Sequence, residues 1–434
     1  MNRRVWDRCK MFLQSPAAMV GVALLVRLAV LIHAGEYNIS PAVDHYNFGF
    51  ETGRIARAIA TGHGFSSPLH GDTGPTAWTA PMYPYLLAGV FKVFGTYSTA
   101  SAVVIMVLNC VFSALTCWTV YGLGRRTFGL TVATWAGWLW AFDYLAIHIS
   151  THWVWDTCLF TLMLSAIFLL TLKVEEVQDP RPWAGFGLLC GLAILTNTSA
   201  LSVVPLLLLW LFLRIRKRGG RSSLPVLAGI VIVLTLAPWL VRNYVVFGKV
   251  ALLRSNFGLE LYLGTVEDRP GIGFYWMHPS MNDEEMAKYR QMGELAYMEE
   301  KQHLAFATIA QNPGQFAKHS LIRFMEWWFG PWQFAVPRLL AGEFAVGKKM
   351  LLGTVTSLLT LTGFLVAIRK REGKPILYGI ALIFFPLVYY GVHTSPRYRH
   401  AIDPQIILLA VYAVSCVILR FRGRAADVSR VHHA

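Results

Sequence analysis

Long apolar stretches separated by short polar segments run along most of this chain. About 20 consecutive apolar residues are needed for a helix to cross the hydrocarbon core of a bilayer. Ten stretches approach or exceed that length, and we predict spans at 17–34, 100–123, 129–147, 156–173, 183–199, 200–213, 224–247, 350–368, 375–393 and 405–420. The pattern therefore predicts an all-α polytopic membrane protein with about 10–12 transmembrane helices.

Two longer, more polar regions, 35–99 and 248–349, interrupt the apolar stretches. We predict an N-terminal transmembrane module at 1–247, with residues 35–99 as its first outer loop. A late outer region at 248–349 and a C-terminal transmembrane module at 350–434 follow. The first outer loop should contain a helix that ends at the glycines of Gly62-His63-Gly64. In the late outer region, Asn282 followed by three acidic residues predicts a capped helix that continues to about Gln311. Residues 321–341 are aromatic but carry charges, and we expect them at the membrane interface.

Composition supports a membrane protein. Of 434 residues, 55% are hydrophobic and 15% charged, with a mean hydropathy of +0.47. Soluble domains are usually about 45–50% apolar and about 25% charged. These values exclude a disordered chain and disfavour a soluble enzyme.

The distribution of basic residues predicts the orientation. The net charge of +15 comes largely from short clusters between spans, which are Arg3 to Lys10, Arg125-Arg126, Arg214 to Arg221, Arg369 to Lys374, and Arg420 to Arg424. Basic loops remain on the cytoplasmic side, and a single topology with both termini inside places every cluster there. We therefore expect contact with membrane lipids and no nucleic-acid partner. Since none of the six cysteines lies in a predicted outer loop, we expect no disulfide framework.

The first outer loop carries the leading candidate for chemistry, Asp44, in the segment Asp44-His45-Tyr46-Asn47-Phe48-Gly49. A carboxylate at the membrane surface can accept a proton from an attacking hydroxyl group. Asp44 also stands where a helix N-cap is expected, and Asp is a favoured capping residue. The residues alone leave both interpretations open.

Further short motifs follow on the predicted outer side. They are Gly62-x-Gly64, Pro81-x-Tyr83-Pro84 with Phe94-Gly95, Trp155-Asp156, Thr196-Asn197 and Pro238-Trp239-x-x-Arg242-Asn243. Together with the Asp44 segment, their order resembles the GT-C superfamily of membrane-embedded glycosyltransferases, specifically family 39 and its protein-mannosyltransferase-like branch. The resemblance covers most of residues 1–260 and returns near 396–404.

This resemblance implies a GT-C-like fold and a hexosyl- or pentosyltransferase. The donor would be a sugar on a polyprenyl phosphate, transferred with inversion to a hydroxyl group of a lipid, glycan or protein on the outer face. Asp44 would be the base. His45 departs from the second acidic residue of the protein mannosyltransferases; it could accept a proton or be a solvated loop residue. Asp156, His45, Tyr46, Tyr83 and Tyr398 are expected to position the substrate.

A departing phosphate needs cations at the outer ends of the helices. Arg397 and Arg399 lie in the short outer loop Ser395-Pro396-Arg397-Tyr398-Arg399-His400, an exception to the positive-inside rule. An arginine fork suits phosphate oxygens, although both side chains could instead be interface anchors. Arg242 is the next phosphate candidate or a cap for helix carbonyls, and Arg254 is a weaker one.

Asp156 is either a second functional acid or an interfacial N-cap. Trp78, Trp153 and Trp155 could stack on sugar rings or form an interfacial belt. His148, His152 and Asp156 have the i, i+4 spacing of one helix face, which would allow a metal site. The family branch is generally metal-independent, so we expect no cofactor and keep a divalent metal as an alternative. The late outer region could be a lid over the site or a helical cap without chemistry.

The sequence thus predicts a glycosyltransferase of the bacterial inner membrane with its active site on the periplasmic side. A secondary transporter or lipid-linked glycan exporter is the competing class, but it predicts paired repeats and broken helices that meet at the midplane, and we find no convincing repeat. A non-catalytic scaffold gives no reason for Asp44, Asp156, Arg242 and Arg397 to lie on one side.

Overall fold

A computed structural model describes residues 3–38, 48–249, 253–266, 277–330 and 344–431, and this part of the chain is almost entirely helical. The helices of the N-terminal module are α1 (Arg3–Leu13), α2 (Pro16–Ala34), α3 (Glu51–Ala60), α4 (Met82–Phe94), α5 (Thr99–Thr127), α6 (Leu130–Ala141), α7 (Tyr144–His152), α8 (Thr157–Val174), α9 (Pro180–Thr196), α10 (Val204–Lys217) and α11 (Ser223–Phe247). The late outer region contains α12 (Phe257–Val266), α13 (Asp283–Met292), α14 (Glu294–Gln311) and α15 (Pro313–Phe329). The C-terminal helices are α16 (Phe344–Lys370), α17 (Pro375–Gly391) and α18 (Asp403–Val431), the last preceded by the short turns Pro396–Arg399 and His400–Ile402.

Seven helices of the described residues are long and apolar enough to cross a membrane. They are Pro16–Ala34, Thr99–Thr127, Thr157–Val174, Thr198–Lys217, Ser223–Phe247, Met350–Lys370 and Pro396–Arg420. The other three predicted spans also form helices, but they are shorter or interrupted. The stretch 180–196 has 17 residues, Pro375–Gly391 contains a π-helical turn, and 129–147 is split.

A buried charge lies where the predicted span 129–147 is split into two helices. Arg27, in the middle of α2, is fully buried. Its guanidinium donates to the carbonyls of Trp140, at 3.2 Å, and Ala141, at 3.0 Å, at the end of α6. Asp143 then caps α7 by accepting from the Ala146 N–H at 2.8 Å. A buried charge needs hydrogen-bond partners, and the free carbonyls of an interrupted helix provide them.

Small residues bring the helices of the bundle into close contact. Helix α5 packs against α2, α6 and α8, while α9 pairs with α11. At the second pair, a Cβ on Gly187 would lie 2.5 Å from the Ala228 carbonyl oxygen, and one on Gly191 would lie 2.6 Å from Thr235. Such close backbone approach is typical of helix contacts in membranes.

The late outer region confirms one local prediction and corrects another. The Asn282 side chain caps α13 by accepting from the N–H groups of Glu284 and Glu285. The single helix predicted from there to Gln311 is wrong, because Gly293 breaks it with a φ of 78°. The break begins a new helix at Glu294 and allows its carboxylate to turn toward the first outer loop.

Residues 321–329 belong to α15, which has an exposed apolar face with Leu321 61% and Met325 44% exposed, so its interfacial placement remains a prediction. Arg323 is 1% exposed and Trp327 is 3% exposed, so both are buried within the protein. The rest of the predicted interfacial segment, residues 331–341, lies outside the described residues. All six cysteines are free in this structure.

Candidate functional site

The predicted base and its neighbours cannot be placed. Asp44, His45 and Tyr46 lie outside the described residues, so their roles remain predictions. The flanking structure does show how the loop continues, since Phe48 is fully buried and α3 begins at Glu51.

A polar cluster lies where α8, α9, α11 and α18 reach the same end of the bundle. Its centre is Asp156, at the N-terminus of α8, whose carboxylate does not cap the helix. It accepts instead from the Asn197 side chain at 3.0 Å, just after α9. The charges of Arg397 and Arg254 both act on Asp156. Within the described part of the chain, no cation forms an ion pair with this carboxylate.

Arg397 lies over an aromatic ring in this cluster. Its Cζ lies 3.8 Å from the centre of the Trp155 ring and 4.8 Å from that of Tyr398. One terminal nitrogen donates to the Tyr398 hydroxyl oxygen at 2.9 Å. Cation–π contact with the ring and a fixed hydrogen bond restrict the guanidinium to one plane. That orientation suits the binding of phosphate oxygens.

Arg399 points elsewhere, although it lies two residues from Arg397. Its Nε contacts the Asp403 carboxylate at 3.2 Å, and one terminal nitrogen donates to the Trp327 carbonyl at 3.3 Å. His400, fully buried, contacts the other oxygen of Asp403 at 3.0 Å. Arg399 thus has a counter-ion of its own, whereas Arg397 does not contact Asp403, and the phosphate-binding role expected for Arg399 remains a prediction.

Arg242 holds the first outer loop in place. Its two terminal nitrogens donate to the carbonyls of Phe65 and Thr76, each at 2.7 Å. The guanidinium also lies over the Trp239 ring, with its Cζ 4.9 Å from the centre. This arrangement resembles the carbonyl-capping alternative more than the phosphate-binding one, although the carbonyls belong to the loop and not to a helix.

Two aromatic candidates are buried. Tyr83 is 1% exposed, and its hydroxyl donates to Asn109 at 3.1 Å. Trp78 is 2% exposed and packs edge-on against His278 and Tyr289. A sugar could contact neither without rearrangement of the surrounding core, and the positioning role expected for Tyr83 and the stacking role considered for Trp78 remain predictions. Trp155 contacts Arg397 and remains at the cluster.

A second buried carboxylate joins the two outer regions. Glu294 accepts from the Thr76 hydroxyl, from the Ala77 N–H and the Ser255 hydroxyl at 2.7 Å each, and from the Tyr289 hydroxyl at 2.9 Å. Burial raises the pKa of Glu294 above its usual value, against the effect of these four donors. The first outer loop is thus fastened to the late outer region.

The spacing of His148, His152 and Asp156 does not produce a shared helix face. Helix α7 ends at His152, and Trp153 is extended, so Asp156 begins a different helix. The two histidine rings lie 4.2 Å apart between centres. No group of three potential metal-binding side chains occurs among the residues that the structure describes, and the metal dependence of the protein remains a prediction.

Sequence reasoning missed two members of the site. His393 contacts the Tyr398 hydroxyl through Nε2 at 2.8 Å, and its Nδ1 lies 3.4 Å from the Glu260 carboxylate. His393 stands close to the arginine motif in the sequence and could have been considered. Glu260 lies more than 130 residues away, in an unremarkable helix, and only the fold brings it there.

Comparisons with known proteins agree with this architecture. Residues 78–241 match the model of a family described as dolichyl-phosphate-mannose-protein mannosyltransferase. No curated protein sequence matches the chain. Among solved structures, the oligosaccharyltransferase of Archaeoglobus fulgidus in its apo form gives a TM-score of 0.56 at 16% identity, over 96% of this chain and 52% of that one.

This chain has the GT-C fold. The same archaeal enzyme, AglB, solved with an inhibitory peptide and a dolichol-phosphate, gives a TM-score of 0.53 at 13% identity, over 95% of this chain and 52% of that one. ArnT from Cupriavidus metallidurans, bound to undecaprenyl phosphate, gives a TM-score of 0.47 at 14% identity, over 90% of this chain and 60% of that one. The resemblance predicted from the motifs is confirmed, and the chain is an integral membrane protein. It spans about half the length of the archaeal structures.

Proposed function

We propose that this protein transfers a sugar from a polyprenyl-phosphate donor to a hydroxyl group at the outer face of the membrane, with inversion at the anomeric carbon. The observation that carries the proposal is the placement of Arg397. Its guanidinium lies over the Trp155 ring, and its charge acts together with that of Arg254 on the Asp156 carboxylate. A lipid-linked phosphate would meet two cations at this position, with its tail in the bilayer.

The proposed reaction uses base catalysis and electrostatic stabilisation. Asp44 takes the proton of the acceptor hydroxyl while that oxygen forms a bond to the anomeric carbon. The bond between this carbon and the phosphate oxygen breaks, and its electron pair leaves with the phosphate. Arg397 and Arg254 hold the resulting negative charge. Asp156 and Tyr398, and in the first outer loop His45 and Tyr46, position the substrates.

The comparisons support the class of donor. AglB was solved with a dolichol-phosphate, and the family matched at 78–241 is described by dolichyl-phosphate mannose. We extend this chemistry to the present chain as a hexosyl- or pentosyltransferase whose acceptor is a lipid, a glycan or a protein. Base and arginines supply the chemistry without a metal, so activity should persist after treatment with EDTA.

We further propose a bacterial inner-membrane location with both termini in the cytoplasm. The Asp156 cluster and the basic residues around Glu175 lie at opposite ends of α8. The positive-inside rule then places the polar cluster on the periplasmic side. To test this orientation, Cys9 and Cys416 are replaced by Ser while the four buried cysteines are kept, and one cysteine is introduced at exposed Glu284 or Arg216 and labelled in intact cells with a membrane-impermeant maleimide. Only Glu284→Cys should react.

The decisive experiment compares the purified full-length protein with Asp44→Asn. Both are supplied with a panel of polyprenyl-phosphate sugars and hydroxyl acceptors, and sugar transfer or release is followed by mass spectrometry. The wild type should consume one donor, while the variant should bind that donor with little turnover.

Equal turnover by the two proteins would reject Asp44 as the base. If no donor is consumed but labelled lipid-linked sugar crosses the membrane of reconstituted vesicles, the protein is an exporter and the proposed transfer is wrong.

A further inference from the structure

A series of side chains connects the late outer region to Arg397. It starts with Asn256, whose side chain donates to Glu260 at 2.9 Å. The Glu260 carboxylate lies 3.4 Å from Nδ1 of His393. His393 Nε2 lies 2.8 Å from the Tyr398 hydroxyl, which lies 2.9 Å from the Arg397 nitrogen. We call Glu260, His393 and Tyr398 the Glu260 series.

The donors and acceptors of the series have one consistent direction. Arginine only donates, so the Tyr398 oxygen is the acceptor of the Arg397 N–H. The Tyr398 hydroxyl hydrogen can then point to Nε2 of His393. A neutral His393 that carries its proton on Nδ1 presents that proton to Glu260. The carboxylate thus selects the tautomer that leaves Nε2 free to accept, as outer partners do for metal-bound histidines.

Backbone contacts fix the distance between Glu260 and His393. Helix α12, which carries Glu260, lies directly against Val392, because a Cβ on Gly264 would be 2.3 Å from the Val392 carbonyl oxygen. Buried Arg323 fastens the same contact by donating to the carbonyls of Gly264, Tyr390 and Gly391. Glu260 and His393 therefore lie on elements whose separation is fixed by backbone contact.

The far side of Tyr398 is also constrained. Its ring stacks on Tyr389 with the centres 4.8 Å apart and the planes at 15°. Tyr389 in turn stacks on buried Trp327, at 5.2 Å and 22°. The stacked ring therefore restricts the position of the Tyr398 hydroxyl. The Arg397 guanidinium adopts the orientation that allows it to donate to this hydroxyl.

We propose that Glu260 and His393 are positioning residues that set the orientation of the Arg397 guanidinium, through Tyr398, for the phosphate of the lipid-linked donor. This inference rests on the proposed function for the identity of the phosphate. It assigns a role to the late outer region: α12 sets the geometry of the donor site, so the region is more than a passive cover. Pre-orientation reduces the entropy lost when the ligand binds.

A double-mutant cycle tests the proposal in the full-length protein. The probe is a short-chain polyprenyl monophosphate in detergent, and its affinity is measured by calorimetry for the wild type, Glu260→Gln, Arg397→Lys and the double variant. Residues that act through one network have coupling energies equivalent to about 2- to 150-fold. Glu260→Gln should weaken binding about fivefold in the wild type and less than twofold beside Lys at 397, because lysine lacks the planar fork that Tyr398 orients.

Tyr398→Phe tests the connection between His393 and Arg397 independently. It removes the hydroxyl that joins His393 to Arg397 but retains the ring that stacks on Tyr389. Its effect should match that of Glu260→Gln, and combining the two should add nothing further. In transfer assays both variants should raise KM for the donor and leave KM for the acceptor unchanged.

The matched control is Glu285→Gln. Glu285 lies in the same outer region and is ion-paired with buried Lys301 at 2.6 Å, away from the series. This variant should lower Tm without a change in polyprenyl phosphate affinity. A similar loss of affinity in the control would mean that general disturbance of the outer region explains the result, and the inference would fail.

The remaining outcomes are also decisive. No effect of Glu260→Gln, or additive effects of the two substitutions, would overturn the positioning role. A wild type that binds no polyprenyl phosphate would remove the ligand and the inference together. Coupled binding effects in a protein that transfers no sugar would overturn only the proposed function.

Discussion

The two ends of α8 carry carboxylates in opposite circumstances. Glu175, just past its C-terminus, is saturated by cations, with Arg214 Nε at 2.5 Å, Arg218 at 2.9 Å and Lys374 Nζ at 2.6 Å. Asp156, just before its N-terminus, has one neutral donor, Asn197. Arg397 lies nearby, but it is turned toward Trp155 and Tyr398.

This difference separates a structural carboxylate from a candidate functional one. At the Glu175 end, three positive charges converge on a fully buried side chain and join α8 to α10 and to the start of α17. At the Asp156 end, the carboxylate accepts from a neutral amide, Asn197, while the charges of Arg397 and Arg254 act on it without an ion pair among the described residues.

Removing the positioned arginine should have the largest effect. Arg397→Ala should lower kcat/KM for transfer by about 100- to 1000-fold, as expected for loss of a group that stabilises developing charge. Thermal unfolding followed by intrinsic fluorescence should show a Tm close to that of the wild type. If Arg399→Ala, two residues away, impaired kcat/KM equally at unchanged Tm, the distinction between the two arginines would be wrong.

At the other end of α8, the effect should be on stability. Glu175→Gln places an amide between three cations, and loss of hydrogen bonds to charged groups costs about 1–3 kcal/mol each in buried positions. Because the three cations are partly exposed, we expect the lower end of that range for the whole cluster. Tm should fall, while the rate of transfer per folded molecule stays unchanged. A reduced affinity for the donor would contradict the structural role of Glu175.

Neutralising Asp156 should have a smaller effect than removing Arg397. Asp156→Asn can still accept from Asn197 but no longer opposes the charges of Arg397 and Arg254. We expect kcat/KM to fall about tenfold, the size of one moderate electrostatic contact, with Tm preserved. Steady-state assays with separate variation of donor and acceptor would show which substrate is affected. A drop in Tm without a kinetic effect would give Asp156 only a structural role.

The smallest effect concerns pH. Burial alone would raise the pKa of Glu175, but hydrogen bonds from Lys374 and Arg214 lower it below the ordinary 4.5. A lowered carboxyl pKa contributes stability above the pKa of the unfolded chain, and this contribution is lost as pH falls. The Tm difference between wild type and Glu175→Gln should therefore shrink below about pH 4.5. A difference that is constant between pH 7 and 4 would contradict the ionic origin.

Features that depend on neighbouring residues could be predicted from the sequence. The Asn282 cap is one example, because a capping residue acts on amides two or three positions away. The break at Gly293 was missed, since an isolated glycine within a helical pattern is often tolerated. Its cause is tertiary: Glu294 must reach Thr76 and Ala77, more than 200 residues earlier.

The site shows the same limit. Arg397 and Arg399 were equivalent in the sequence because both stand in one short outer loop, yet the structure directs one to Trp155 and the other to Asp403. Tyr83 belonged to a motif, but its side chain lies in the core. A residue that belongs to a motif is predicted to lie near the site. Whether a substrate could reach its side chain depends on how deeply that side chain is buried.

The sequence by itself determined that this is a helical membrane protein, because the length of its apolar stretches matches the thickness of a bilayer. The order of its motifs resembled that of the GT-C superfamily, and the chain has that fold. Only the tertiary structure decided which charges have partners. Arg27 donates to carbonyls at the end of α6, Arg242 donates to loop carbonyls, and Glu260 lies beside His393, more than 130 residues away in the sequence. Hydropathy can be read from each residue and its position along the chain. The neutralisation of a charge depends on distances between residues that are set only after the helices have packed.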